Sequence, residues 1–229
     1  MSEICKTYKP EILSCPFCGT KLIYRHTVSS KSVYFSNGKK FRIKNLGYGC
    51  PSCLDHRIYV SQTANKICFK GLTYSSKVVC MIAYYKQKHW GRDAICDLFS
   101  SKGIEISDRN IDLLYQKFLS HTLADPIPTI QAAMDRMLEE YKQIRLAIDV
   151  ITIEECVFLL VYDFFSSKLL VIRSFHTIRD PKIEEFIASF LNPLLPIGVI
   201  ASIRKDAVFI PMLKKYCPKN TKFISFLKF

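Results

Sequence analysis

The chain has 229 residues, 49% of them hydrophobic with 16 Phe and 12 Tyr, and a formal net charge of +13. That apolar content excludes a disordered chain as the default, the length suits one large domain or two to three small ones, and no apolar run approaches the roughly 18 residues of a membrane span. The charge is uneven, with 19 Lys and Arg against 8 Asp and Glu in residues 1–124 and 14 against 12 in residues 125–229. A basic block inside folded-looking sequence is the footprint of a phosphate-backbone binder; the plainer alternative is a basic surface kept for solubility. Met1–Lys9 is too polar for a signal peptide, and ten cysteines without an export signal favour a reducing, intracellular compartment and metal ligation over disulfides.

From the N-terminus, the first element is a pair of short motifs, Cys15-Pro16-Phe17-Cys18 and Cys50-Pro51-Ser52-Cys53. Each spaces two thiolates across a tight turn, and two such turns complete the four-sulfur tetrahedron that Zn²⁺ favours in closed structural sites. Pro16 and Pro51 stiffen the turns, and Gly19 gives the backbone freedom to reverse. The intervening segment predicts a long hairpin: Lys21–Thr27, Ser32–Phe35, a turn at Ser36-Asn37-Gly38-Lys39, then Phe41–Asn45. Competing readings are two reduced core pairs or a redox motif lacking its βαβ setting. His26 and His56 are alternative ligands made unnecessary by four sulfurs. The remaining cysteines, Cys5, Cys68, Cys80, Cys96, Cys156 and Cys217, are expected as small buried apolar residues. Short strands are expected at Arg57–Ser61 and Lys66–Lys70, closing a zinc-ribbon domain over 1–72.

Residues 73–121 predict three helices, Ser75–Trp90, Arg92–Ser101 and Ser107–His121, each with an apolar stripe at helical spacing. A Gly-containing turn, Lys102-Gly103-Ile104-Glu105-Ile106, separates the last two, and Ser107 suits an N-cap. Short helix, Gly turn and capped helix make a helix-turn-helix layout, although any small three-helix bundle shows the same periodicity. In a helix-turn-helix the second helix of the motif enters the major groove of double-stranded DNA. Ser107, Arg109, Asn110 and Lys117 are then the DNA-facing side chains, Arg suiting guanine and Asn adenine. Lys39 and Lys40 at the hairpin tip are expected to touch the phosphate backbone.

Prolines at 126 and 128 mark a linker over 122–144, with a helix expected at Ile130–Ile144. Residues 145–229 then alternate: strands at Arg145–Ile151, Cys156–Tyr162 and Lys168–Ser174, a helix at Asp180–Leu191, a strand at Gly198–Ile203, a helix at Ala207–Tyr216 and a strand at Lys222–Leu227. The order βββαβαβ is that of the opening of an RNase H-like domain. The fold class expected is thus α+β and multidomain. Asp149 sits among apolar neighbours in Leu146-Ala147-Ile148-Asp149-Val150, costly unless paired or metal-bound. It suits a rigid Mg²⁺ ligand of a two-metal nuclease, or an Asp on the open face of an edge strand.

A CPxC-type ribbon, a helix-turn-helix, a Pro-marked linker and an Ala-Ile-Asp first strand together resemble the N-terminal two-thirds of a DDE-type transposase. The resemblance rests on the order of parts over nearly the whole chain. It implies binding to transposon-end DNA and strand transfer by three acids holding two Mg²⁺ ions. Asp149 matches the first acid. Where the second is expected, at the end of the fourth strand, the chain has Ile203, and Asp206 can substitute only with rearrangement. The third acid would lie on a later helix, beyond Phe229. The resemblance therefore implies a truncated or decayed copy that binds DNA without cutting it alone, with Mg²⁺ held only if the acidic site is completed. Phe223, Phe226, Leu227 and Phe229 are expected to be exposed or used in association, including homodimerisation. Alternatives are a zinc-ribbon and helix-turn-helix transcription regulator with a C-terminal dimerisation or sensing domain, and an RNA-binding factor.

Overall fold

The computed structural model of the protein describes residues 4–53, 57–122, 126–166, 168–202 and 208–225. Elements run in the order β1 (Ile4–Tyr8), β2 (Ile23–Tyr34), β3 (Lys40–Gly49), α1 (Gln62–Lys66), α2 (Ser76–Gln87), α3 (Arg92–Ser101), α4 (Asp108–Thr122), α5 (Pro126–Tyr141), β4 (Ile144–Ile153), β5 (Cys156–Asp163), β6 (Leu169–Phe175), α6 (Pro181–Phe190), β7 (Ile197–Ser202), α7 (Phe209–Lys215) and β8 (Lys222–Ser225). The fold is mixed α and β, with two mixed sheets. Two compact units contain it: Met1–Val79 with Gly91–Asp108, and Cys80–Trp90 with Arg109–Phe229.

In the first unit the strand order is β1-β3-β2, β1 parallel and β2 antiparallel to β3. The hairpin expected in two pieces is one continuous strand, β2, carrying irregularities between Tyr24 and His26 and between Thr27 and Ser29. One face of the sheet buries Val33 and Ile43 with Ala64, Ile67 and Cys68 of the α1 region. The strand expected at Lys66–Lys70 does not form: bends and a turn follow Lys66, the last residue of helix α1, whose start is fixed from far along the chain. Ser61 caps it by accepting from the Ala64 N–H, while the Glu11 carboxylate accepts from the Ser61 hydroxyl and from the amides of Gln62 and Thr63 at 2.8–2.9 Å. A carboxylate at a helix N-terminus satisfies orphan donors and complements the dipole. Asn45 completes the network, accepting from the Ser61 N–H and donating to Asn65. Of the strand expected at Arg57–Ser61, a bridge between Tyr48 and Tyr59 remains.

Helix α3 ends where Gly103, at φ +73°, reverses the chain. The Ile104 N–H donates to the Phe99 carbonyl and the Gly103 N–H to Ser100. Phe99 and Ile104, both fully buried, supply the apolar contact of this Schellman ending.

In the second unit the strand order is β6-β5-β4-β7-β8; β6, β5 and β4 are antiparallel neighbours, and β7 and β8 run parallel to β4. Ile144, Leu146 and Ile148 point into a core with Met134 and Met137 of α5, Ile183 and Ile187 of α6, and Phe209 and Leu213 of α7. Arg145, Ala147 and Asp149 take the opposite face by the strand's period of two. That face is covered by α4, whose Phe118 meets Phe158 edge-to-face at 5.8 Å. Helix α5 starts at Pro126, before the expected Ile130, because prolines in a first turn lack an N–H that would have no partner there anyway. Phe223, expected to be exposed, packs partly buried against the core beneath Lys214; Phe226, Leu227 and Phe229 lie outside the described residues.

Candidate functional site

The two cysteine motifs form facing turns. The first closes through a Gly19 N–H bond to the Cys15 carbonyl, and Cys15 N–H donates to Thr20 O. Gly19 adopts φ +73° with nothing within 4 Å of where a Cβ would stand, so its need is conformational. In the second turn the Cys53 N–H donates to the Cys50 sulfur at 3.3 Å. Arg25 lies over Gly49 and donates to the Cys50 carbonyl at 3.3 Å, fixing this turn against β2.

All four sulfurs lie within 4.8 Å of one another. The separations are 3.7 Å for Cys15–Cys53, 3.5 Å for Cys18–Cys50 and 3.3 Å for Cys18–Cys53. A sulfur tetrahedron at Zn–S of about 2.3 Å has edges of about 3.8 Å, so the set fits one tetrahedral metal ion such as Zn²⁺. The thiols' electrostatics point the same way. Cys18 is drawn down to about 6, chiefly by the Thr20 hydroxyl, whereas Cys53 is pushed up, first by Cys18 and then by Cys50 and Cys15. A bare four-thiol cluster retains protons that a central cation would displace. His26 stands on exposed β2 opposite Gly47 and is not in the cluster; His56 lies outside the described residues. Of the cysteines expected buried, Cys68, Cys80 and Cys217 are so, but Cys5 is exposed and Cys96 and Cys156 are intermediate.

Lys39 and Lys40 are exposed, but their hairpin tip does not project freely. Gly38 packs so closely on the turn after α3 that an added Cβ would stand 1.9 Å from the Lys102 carbonyl oxygen. Lys40 lies over the Tyr34 ring at 4.9 Å. On α4, Ile111, Leu114 and Phe118 form the buried stripe. Arg109 is exposed and Asn110 and Lys117 are half-buried, all three off that stripe; Ser107, exposed, directly precedes the helix. Leu113, 58% exposed, shares the outward side with Arg109, a feature the periodicity alone does not single out.

Asp149 is 6% exposed on the central strand β4. One carboxylate oxygen accepts from the Val150 N–H at 2.8 Å. Its charge reaches the fully buried Cys80 of α2, whose thiol is pushed up by burial first and by Asp149 second. Register places Ile148 beside Ser202 at the end of β7, so β7 itself, Ile197-Gly-Val-Ile-Ala-Ser202, brings no carboxylate to Asp149. Ile203 and Asp206 lie outside the described residues. A second buried carboxylate, Asp163, pairs with Leu146 and so faces the opposite side of the sheet; it accepts from the amides of Phe165 and Ser166 and closes a turn. Among the described residues, the four cysteines are the one group of three or more ligand-type side chains close enough to share an ion.

Compared with known proteins, the chain matches no family model and no curated sequence. No helix among the described residues is long and apolar enough to cross a membrane.

Proposed function

We propose that the protein is a DNA-binding protein of transposase-like build, in which a zinc ribbon and a helix-turn-helix engage double-stranded DNA and an RNase H-like sheet carries a single remnant acid, Asp149. The observation that carries DNA binding is the charge around the thiol cluster: from Ile12 to Leu54 the chain has seven Lys and Arg and no Asp or Glu. A folded surface with cations and no carboxylates is built for a polyanion. Zn²⁺ supplies the closed tetrahedral site that holds the two turns together; its role is structural, since all four positions are sulfurs.

Support for the transposase-like ancestry comes from the second unit. The resemblance requires the first and fourth strands to be neighbours with the first acid on the former, and β4, bearing Asp149, runs parallel beside β7. Catalysis is a different matter, because Asp149 is covered and β7 lacks a carboxylate.

The test is binding of the full chain to duplex DNA by fluorescence anisotropy, after selection from a random duplex pool. Arg109→Ala should relax preference at one base position at a cost of about 1–3 kcal/mol, whereas Lys39→Ala weakens all sequences alike. Failure to retain any duplex at low salt would refute the reading. Sequence-specific binding to a promoter-like site without any element-end preference would instead favour a transcription regulator.

A further inference from the structure

Helix α4 carries two opposed stripes. Ile111, Leu114 and Phe118 form the buried one. On the far side of the helix, at 3.6 residues per turn, Arg109, Leu113, Gln116 and Ser120 fall within about 60° of one another, and all four are exposed. Leu113, 58% exposed, lies between Arg109 and Gln116. Among the described residues, the Arg109 and Gln116 side chains make no hydrogen bond or ion pair. The Ser120 hydroxyl turns back to donate to the Lys117 carbonyl at 2.8 Å. The acids of the first two turns are engaged elsewhere: Asp108 accepts from the Cys96 thiol at 3.0 Å, and Asp112 pairs with Lys86 of α2 at 3.1 Å. Asn110 and Lys117, expected to face DNA, are half-buried beside this stripe rather than on it.

We infer that Arg109, Leu113 and Gln116 read base edges in the major groove of duplex DNA, and that Leu113 does so through the C5-methyl group of a thymine. This assignment rests on the DNA-binding reading above and deepens it by naming the bases. The Arg109 fork offers two donors, matching guanine O6 and N7, and the Gln116 amide offers a donor and an acceptor, matching adenine N7 and N6. Leucine has neither, and the apolar group that base pairs display in the major groove is the thymine methyl. Spacing fits as well. Residues 109 to 116 advance about 10 Å along the helix axis, and base pairs rise about 3.4 Å each, so the three side chains reach a guanine, a thymine and an adenine within about four consecutive base pairs. A lone exposed leucine is ordinary on a protein surface. This one stands in line between two polar side chains that match base edges, on a face whose carboxylates are engaged elsewhere. One leucine between an arginine and a glutamine is also too little apolar area for a protein or membrane contact.

The experiment uses full-length, zinc-loaded protein and the duplex it selects from a random pool. Each thymine of the site is replaced in turn by deoxyuridine, which removes the C5-methyl and nothing else. At one position the wild type should lose about fourfold in affinity, the worth of one buried methyl group. Leu113→Ala should bind the thymine and uracil duplexes alike. Gln116→Ala should relax a nearby adenine preference by roughly 5- to 150-fold. Both variants should keep the guanine preference set by Arg109. Uracil scanning of the wild type needs no variant, so misfolding cannot hide the answer. A defined site with no uracil effect, or an effect that survives in Leu113→Ala, would overturn the assignment and leave the DNA-binding reading standing. If the wild type binds no duplex, both fail. Loss of self-association in Leu113→Ala, with every base preference intact, would overturn it by placing a second copy of the chain on the stripe.

Discussion

At Cys18 the Thr20 hydroxyl and neighbouring sulfurs favour the thiolate, while Cys53 holds its proton first through its contact with the Cys18 sulfur and then through those with Cys50 and Cys15. A bound divalent cation removes that conflict, and the sign of the pH dependence follows. Ligands bind as thiolates, so protons compete with the metal and acid releases it, whereas alkali does not. We expect one zinc per chain at pH 7, retained as pH rises and lost on acidification, at a pH below the value of about 6 toward which the metal-free Cys18 is already drawn. Metal analysis after dialysis across this range checks it. Cys50→Ser should lose the metal already at pH 7 and disorder the knuckles and the sheet beside them, because closed zinc sites supply folding free energy directly. Protein purified without chelators and found free of zinc would exclude a ribbon.

At the scale of elements, two glycines separate conformational from steric need. Gly38 and Gly103 adopt φ +78° and +73°, but a Cβ at Gly38 would meet the Lys102 carbonyl oxygen at 1.9 Å, while at Gly103 the nearest atom is 3.9 Å away. Gly103→Ala should therefore cost about 1 kcal/mol, the left-handed penalty alone. Gly38→Ala should cost about 3 kcal/mol, adding the displacement of a packed backbone. Urea midpoints of the two variants measure the difference; equal losses would mean that the tip is not held against the turn after α3. This contact marks the limit of what the sequence makes legible. The pattern located α3 to the residue and β4 to β8 within two or three, because α3 buries one face at helical spacing while the strands are short apolar runs bounded by turn signals, several of them buried on both faces. It missed α1, whose N-terminus is held by Glu11 across the unit, and it read Lys66–Lys70 as a strand where bends and a turn follow the helix. It began α5 late because prolines at its start look like a break. The cysteine spacing revealed the metal cluster, being a local signal. The β1–β3–β2 order of the first sheet was not legible, because no local pattern encodes pairing between distant strands.

Over the whole molecule the basic surplus falls in residues 1–124, with 19 Lys and Arg against 8 Asp and Glu, while Asp149 is buried in the second unit. Strand cleavage by two metals needs several oxygen ligands holding the ions about 3.5–4 Å apart. Asp149 has no carboxylate neighbour on β7, and Asp163 faces the far side of the sheet. A helix covers the face to which Asp149 belongs, leaving it 6% exposed, so water-bearing Mg²⁺ ions and a phosphate have no room to converge there. We therefore expect no nicking or strand transfer by this chain with Mg²⁺ or Mn²⁺ on any duplex. Asp149→Asn keeps an acceptor for the Val150 N–H and removes a buried charge from beside Cys80. It should leave DNA affinity unchanged, because Asp149 is only 6% exposed and offers no surface to a ligand. A melting point lowered by several degrees would mean that the protein relies on the charge of Asp149. Metal-dependent nicking that vanishes in Asp149→Asn would mean more: that the covered face opens, and that acids brought from elsewhere complete the site.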